Sequence, residues 1–344
     1  MQHIPFDALI SFGAEFLRKR GLPQECADYL SRFVVETEAF RSTTHGLVQF
    51  LQMHRLLGKS MDPDREPAIV RDKGAMALID GEKTLGILCM KTARELAMAK
   101  AREFGVGFVA VRNTSWVGAL GTHLIPLAEQ GFLAQAWAQS CNCKDCAPMG
   151  GIDARFSTNP MAIAFPAGKR PVLADFSTAS YSMATVGSMI EKKEKSKVPR
   201  FIDAKGKPSK TPSVVRKDGS IMFTGLDLEG HKFYGISLFI EALTALSGGS
   251  ANNPEAPQRQ SASILALDPD AFAGREYYRR EMERFVKHVK SSRKRPGFDA
   301  VRLPGERGFA ALDDAKRKGV PLDKAKLEML KTIAAENGLA ITWA

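Results

Sequence analysis

Between residues 68 and 138 the chain alternates short apolar runs with amphipathic helical stretches, and this alternation restricts it to a layered α/β fold. Two short strands are predicted at Ala68 to Arg71 and Ala75 to Ile79, closed by Asp80-Gly81. A helix is predicted over 85–103, where Leu85, Leu88, Cys89, Ala93, Leu96 and Ala97 are apolar among good helix formers. Gly107 to Val111 reads as a buried strand, 118–130 as a helix and Phe132 to Ala138 as a further strand. Gly105 to Ala110 fits G-x-G-x-x-A by letter. A dinucleotide fingerprint must leave a strand and open a helix, so that the helix N-terminus meets the pyrophosphate. This segment leaves a helix and enters a strand, which makes it a tight turn.

The flanking regions differ in kind. Residues 6–20, 24–40 and 50–57 carry helical periodicity, with Leu9, Ile10, Ala14, Phe16 and Leu17 on one face of the first and Ala27, Leu30, Phe33 and Val34 on one face of the second. Thr44 and His45 fall in the joint between the second and third helices, a hydroxyl beside an imidazole. Pro63 to Pro67 is charged and proline-punctuated, a candidate boundary. Further on, Met161 to Phe165 and Pro171 to Asp175 read as strands. Asp175 is either a functional carboxylate at a strand end or the cap of a helix opening at Thr178 or Ser180. Residues 191–220 read as irregular, 233–246 as a helix opened by Gly230-His231-Lys232, and 261–267 as a strand. A basic amphipathic helix over 275–292 and helices over about 308–318 and 323–337 complete the chain.

Charge and cysteine content narrow the function. The net charge of +11 is concentrated in Lys192 to Lys210 and Arg284 to Arg295, neither interleaved with aromatic residues as a stacking platform would be, and no nucleic-acid motif occurs. These are read as a solvated loop and a basic helix face, with attraction of an acidic substrate or cofactor as the functional alternative. No run of eighteen apolar residues occurs and the N-terminus lacks a leader pattern, so the expectation is a cytoplasmic protein with no membrane contact. Five cysteines, three of them at Cys141, Cys143 and Cys146, are read as reduced thiols. A fourth ligand for zinc is not evident near them, and no metal is expected.

Several motifs in order resemble the type 2 malate/L-lactate dehydrogenase family, whose relatives include ureidoglycolate and sulfolactate dehydrogenases and cyclic imino-acid reductases. They are Thr44-His45-Gly46, Val111 to Gly118, Ala147 to Gly151, Thr158-Asn159-Pro160, Asp175 to Thr178, Gly230 to Gly235 and Pro304 to Arg307. The resemblance implies a non-Rossmann mixed-sheet cofactor domain, with a helical domain formed from both chain ends. The corresponding boundaries are 1–65 and 286–344 for the helical parts and 66–285 for the cofactor domain. It also implies a homodimer, an acidic small-molecule substrate, and NAD or NADP as cofactor. Carried over by position, the cofactor contacts are Gly118, Leu120, Ser140, Ala174, Phe176, Lys232, Pro304, Gly305 and Glu306.

The implied reaction is hydride transfer between nicotinamide and a 2-oxo or 2-hydroxy acid, with His45 donating or accepting the proton, because imidazole titrates near working pH. Asp175 would hold the imidazole tautomer and Thr44 would serve as a hydroxyl relay. The alternative for His45 is a joint histidine bonded locally. Gln49, Trp116 and Thr158 are the substrate-binding candidates. Gln49 stands where the family has an arginine suited to a carboxylate, and Trp116 where it has a histidine. These departures keep open reduction of a cyclic imine, and a non-catalytic member acting as a binding protein.

Overall fold

The computed structural model describes residues 1–42 and 44–343. The N-terminal part forms a strand, β1 (Gln2–Ile4), and three helices, α1 (Phe6–Lys19), α2 (Gln24–Ala39) and α3 (Val48–Leu56). A sheet-forming region follows with β2 (Ala68–Lys73), β3 (Met76–Asp80), α4 (Gly86–Phe104), β4 (Val106–Thr114), α5 (Leu120–Glu129), β5 (Leu133–Ser140), β6 (Pro160–Phe165) and β7 (Val172–Ser177). Next come α6 (Met183–Glu191), the two-residue strands β8 (Phe201–Ile202), β9 (Pro208–Ser209) and β10 (Ser220–Ile221), α7 (Leu226–Leu246) and β11 (Gln260–Leu267). The chain ends with α8 (Arg275–Lys290), α9 (Glu306–Lys318), β12 (Val320–Leu322) and α10 (Lys324–Glu336).

The central sheet is mixed, in the order β2-β3-β4-β11-β5-β6-β7. Only β3 and β4 run parallel; β11 enters between β4 and β5 and is antiparallel to both, pairing Ser263 with Ala110 on one side and Trp137 on the other. Its middle strands are built from small residues, with Ala110, Ala134, Ala136, Ala162, Ala262 and Ala266 all buried. Small side chains let α4 and α5 lie close against the sheet, where Ile79, Val109, Leu124, Leu127 and Phe132 fill the interface.

A second apolar cluster joins both chain ends. Phe16, Leu30 and Phe50 pack with Leu312, Val320 and Ile333, and β1 pairs with β12 from Gln2 opposite Leu322 to Ile4 opposite Val320. Among the described residues no helix is long and apolar enough to cross a membrane.

Three sequence expectations change. Residues 191–220 are not irregular throughout: β8, β9 and β10 form a three-stranded antiparallel sheet over Phe201, Ile221, Phe223 and Val186. Two-residue strands are too short to display an alternating pattern. Helix α7 begins at Leu226, following Gly225 at φ +93°, so Gly230 to Lys232 lie inside it. Asp175 does not cap the helix that follows it; Ser182 does, accepting from the Thr185 N–H.

Candidate active site

The segment between α2 and α3 is held from outside. Glu38, buried near the end of α2, accepts from the Leu47 N–H at 3.1 Å and pairs with Lys326 of α10. Gly46 lies so close to α2 that a β-carbon there would come within 2.7 Å of the Glu38 backbone, which only glycine allows. Ser42 O accepts from the His45 N–H at 2.8 Å.

The α2–α3 joint presents an imidazole. The Thr44 hydroxyl and His45 Nδ1 are 2.9 Å apart, and the Trp116 indole stacks over the ring at 5.7 Å between centroids. Enclosure disfavours the charged imidazolium, so the His45 pKa lies below its ordinary value. Gln49 is one turn beyond, buried, with its Nε2 donating weakly to Thr44 O at 3.4 Å and its Oε1 without a hydrogen-bond partner among the described residues.

Thr44 and His45 open onto a cleft of about 430 Å³ that is also lined by Gly118, Leu120, Thr158, Asp175 and Phe176. Asp175 comes from edge strand β7, and its Oδ2 accepts from the Gly121 N–H at 2.8 Å, in the first turn of α5. Its carboxyl is open to water within the cleft, but the surrounding protein thins the solvent and raises its pKa to about 6 against the lowering effect of that N–H. A ligand that dried the cleft would strengthen this effect. Asp175 and His45 face the same space with no direct hydrogen bond between them among the described residues.

Ser42 and Asp175 also border a second cleft, of about 770 Å³, so the two adjoin. Its character is cationic. Arg41, Arg307 and Arg302, the last paired with Asp299, line it together with Leu173, Pro304 and Gly305, and Gly305 precedes the first residue of α9. Gly305 has φ +91°, and a β-carbon there would lie 3.1 to 3.2 Å from Leu173. The Leu173 N–H donates to Pro304 O at 3.1 Å, pinning this turn to β7. Arginines, bare backbone and a helix N-terminus suit the phosphates of a dinucleotide. The neighbouring histidine-bearing cleft suits its reacting end, so the residues present fit a nicotinamide dinucleotide.

The sequence candidates divide accordingly. Thr44, His45, Gly118, Leu120, Thr158, Asp175 and Phe176 meet in one cleft and Pro304 and Gly305 in the next, with Trp116 reaching the first through its stack. Ala174 flanks Asp175 within β7, pairing with Ile163. Others lie apart from both clefts. Ser140 Oγ accepts from Gln260 Nε2, Lys232 pairs with Glu229 along α7, and Glu306 pairs with Lys290 on the far side of the 303–306 turn. Sequence reasoning missed Arg302 and Arg307, and the hydroxyls of Ser180, Ser182, Thr185 and Thr224 that line the histidine cleft. The density of hydroxyls from Ser177 to Thr185 was the available signal for these, and the Pro304 to Arg307 motif was the signal for Arg307; Arg302 had none.

Residues 4–331 match the family model described as malate/L-lactate dehydrogenase. The chain is 30% identical over 350 residues to malate dehydrogenase of Pyrococcus abyssi, covering 98% of this chain and 95% of that one. It is 27% identical over 346 residues to the Δ1-pyrroline-2-carboxylate/Δ1-piperideine-2-carboxylate reductase of Pseudomonas syringae pv. tomato, covering 97% and 96%. The structure of sulfolactate dehydrogenase from Methanocaldococcus jannaschii superposes with a TM-score of 0.88 at 30% identity, over 99% of this chain and 98% of that one. Sequence match and superposition agree from end to end, and the chain belongs to the malate/L-lactate dehydrogenase family.

Proposed function

We propose that this protein is an NAD(P)-dependent oxidoreductase that interconverts a 2-oxo acid and its 2-hydroxy acid, with His45 as the proton donor and acceptor. The observation that carries this reading is the placement of His45 and Asp175 in a cleft that adjoins an arginine-lined one. When bound, the nicotinamide supplies or takes up the hydride at the substrate carbon. The chain's own residues then handle the proton. Thr44 engages Nδ1 and leaves Nε2 to exchange a proton with the substrate oxygen. Arg41, Arg302 and Arg307 would hold the anionic part of the dinucleotide, and Gly118, Leu120 and Phe176 would wall its reacting end.

Reduction of a cyclic imine is the second reading, favoured by Trp116. Its indole cannot exchange a proton, so the ring stacked on His45 supplies no second acid, and imine reduction needs less help from one. The apolar residues Leu238, Phe239 and Leu246, exposed on α7, belong to the same proposal as the face against which a second copy would pack. A non-catalytic member would bind NADH or NADPH without turning over 2-oxo acids or imines.

The test follows nicotinamide absorbance with NADH and NADPH against panels of 2-oxo acids and cyclic imines across pH. In the reducing direction His45 gives up its proton, so kcat/KM is expected to fall as pH rises through a value below the ordinary histidine value of 6.5. Oxidation of the alcohol, which needs neutral His45, should rise through the same value. Absence of binding by either nucleotide would overturn the proposal.

Trp116→Ala provides a further check, because the indole shields one face of His45. Removing it admits water, relieves the penalty on the imidazolium, and should move the reductive pH limb upward. An unmoved limb would mean that the indole does not set the imidazole's environment.

A further inference from the structure

We propose that residues 192–217 form a cationic surface that collects anionic ligands, the dinucleotide above all, and speeds their entry into the adjoining histidine-bearing cleft; the inference rests on the function proposed above. This stretch holds ten lysines and arginines against two acids, Glu194 and Asp203, and so carries most of the chain's net charge of +11. The cations stand on a built surface, since β8, β9 and β10 pair over their own apolar cluster of Phe201, Ile221 and Phe223.

Two observations separate this surface from an ordinary solvated basic region. None of its ten cations forms an ion pair with a carboxylate among the described residues. In the chain's other basic segment, α8, Arg279 is bound to Glu276 and Glu283, and Arg284 to Glu281, so much of that charge is neutralised where it stands. The unpaired set also adjoins the cleft wall. Tyr181, which lines the cleft, is 3.1 Å from the Ser196 hydroxyl through its own hydroxyl, and the Arg200 guanidinium lies 5.2 Å from its ring centroid. The Met222 N–H donates to Arg200 O and the Ser180 N–H to Met222 O, so the cationic sheet and the cleft wall share one hydrogen-bonded run.

Uncompensated charge of one sign beside a cleft focuses the field into it and raises the encounter rate of opposite charge by about 10- to 1,000-fold at low salt. Screening over about 8 Å at physiological ionic strength removes much of that gain. The signature is therefore kinetic. It appears in the association rate and its salt dependence, and it leaves the bound state unchanged.

The experiment is stopped-flow binding of NADH and NADPH, followed by nicotinamide fluorescence, at low and high salt. The wild-type chain is compared with the quadruple variant Lys192→Gln, Lys193→Gln, Lys195→Gln and Lys197→Gln, whose four positions are all exposed. A control, Arg317→Gln, Lys318→Gln, Lys324→Gln and Lys331→Gln, removes the same charge from exposed positions in the C-terminal helices. The expected result is an association rate that falls steeply with salt in the wild type, and is about tenfold lower at low salt and less steeply salt-dependent in the first variant. The control should behave as the wild type, and dissociation rates should agree in all three. Equal association rates in the two variants would overturn the proposal while leaving the oxidoreductase intact, whatever other polyanion the surface then proved to bind. Failure of the wild type to bind either nucleotide would overturn both.

Discussion

His45→Ala is expected to lower kcat by about 10²- to 10⁴-fold while the cofactor still binds, because a positioned acid or base contributes about that much to proton transfer. His45 is the imidazole held between the Thr44 hydroxyl and the Trp116 ring at the mouth of the cleft shared with Asp175. Loss of the ring removes the proposed proton donor and leaves the arginine-lined cleft around Arg302, Arg307 and Gly305 in place. Nicotinamide fluorescence on binding should therefore resemble the wild type, and single-turnover reduction should carry the defect. Added imidazole should restore part of the rate, more so at lower pH. A kcat within threefold of the wild type would place the proton with another group, and Asp175, raised to about 6 by its surroundings, would be the next candidate.

The second large effect concerns stability. Lys326→Met should destabilise the protein by about 3–5 kcal/mol, because it leaves the Glu38 carboxylate buried without its countercharge. Glu38 also accepts from the Leu47 N–H and lies against Gly46, so the loss falls on the segment that presents His45. A lower urea midpoint and a reduced kcat should therefore appear together. Glu38→Gln combined with Lys326→Met removes both charges and keeps an acceptor for Leu47, and it should be more stable than Lys326→Met alone. A single variant within about 1 kcal/mol of the wild type would show that water reaches Glu38 and solvates it, since exposed pairs contribute only about that much.

Much of the fold was legible because helical and strand periods are local. The apolar positions of α1, α2 and α4 lie three and four apart, and these three helices match the expected ones to within a residue or two. The turn at Gly105 proved to be the left-handed cap of α4 leading into β4, as its order of helix before strand required. Strand partners were another matter. The pattern at 261–267 announced a strand, but nothing local could place it between β4 and β5, some 150 and 130 residues earlier in the chain. β1 and β12, three residues each, were too short to show a period and exist by pairing with one another.

The candidate site divides in the same way. Thr44-His45-Gly46, Thr158, the Asp175 strand end and Pro304-Gly305 carried a family likeness in their order along the chain, and the sequence alone determined that membership. What only the tertiary structure decided is which of them meet. Asp175 comes to the His45 cleft because β7 ends the sheet beside the first turn of α5, and Arg302 and Arg307 join it because Leu173 pins the 303–306 turn to that same strand. Ser140, Lys232 and Glu306 stand outside both clefts because sheet order and helix direction carry them elsewhere. A chain states residue types and local periods; distances between residues a hundred positions apart are set by which strands pair and how helices pack across them.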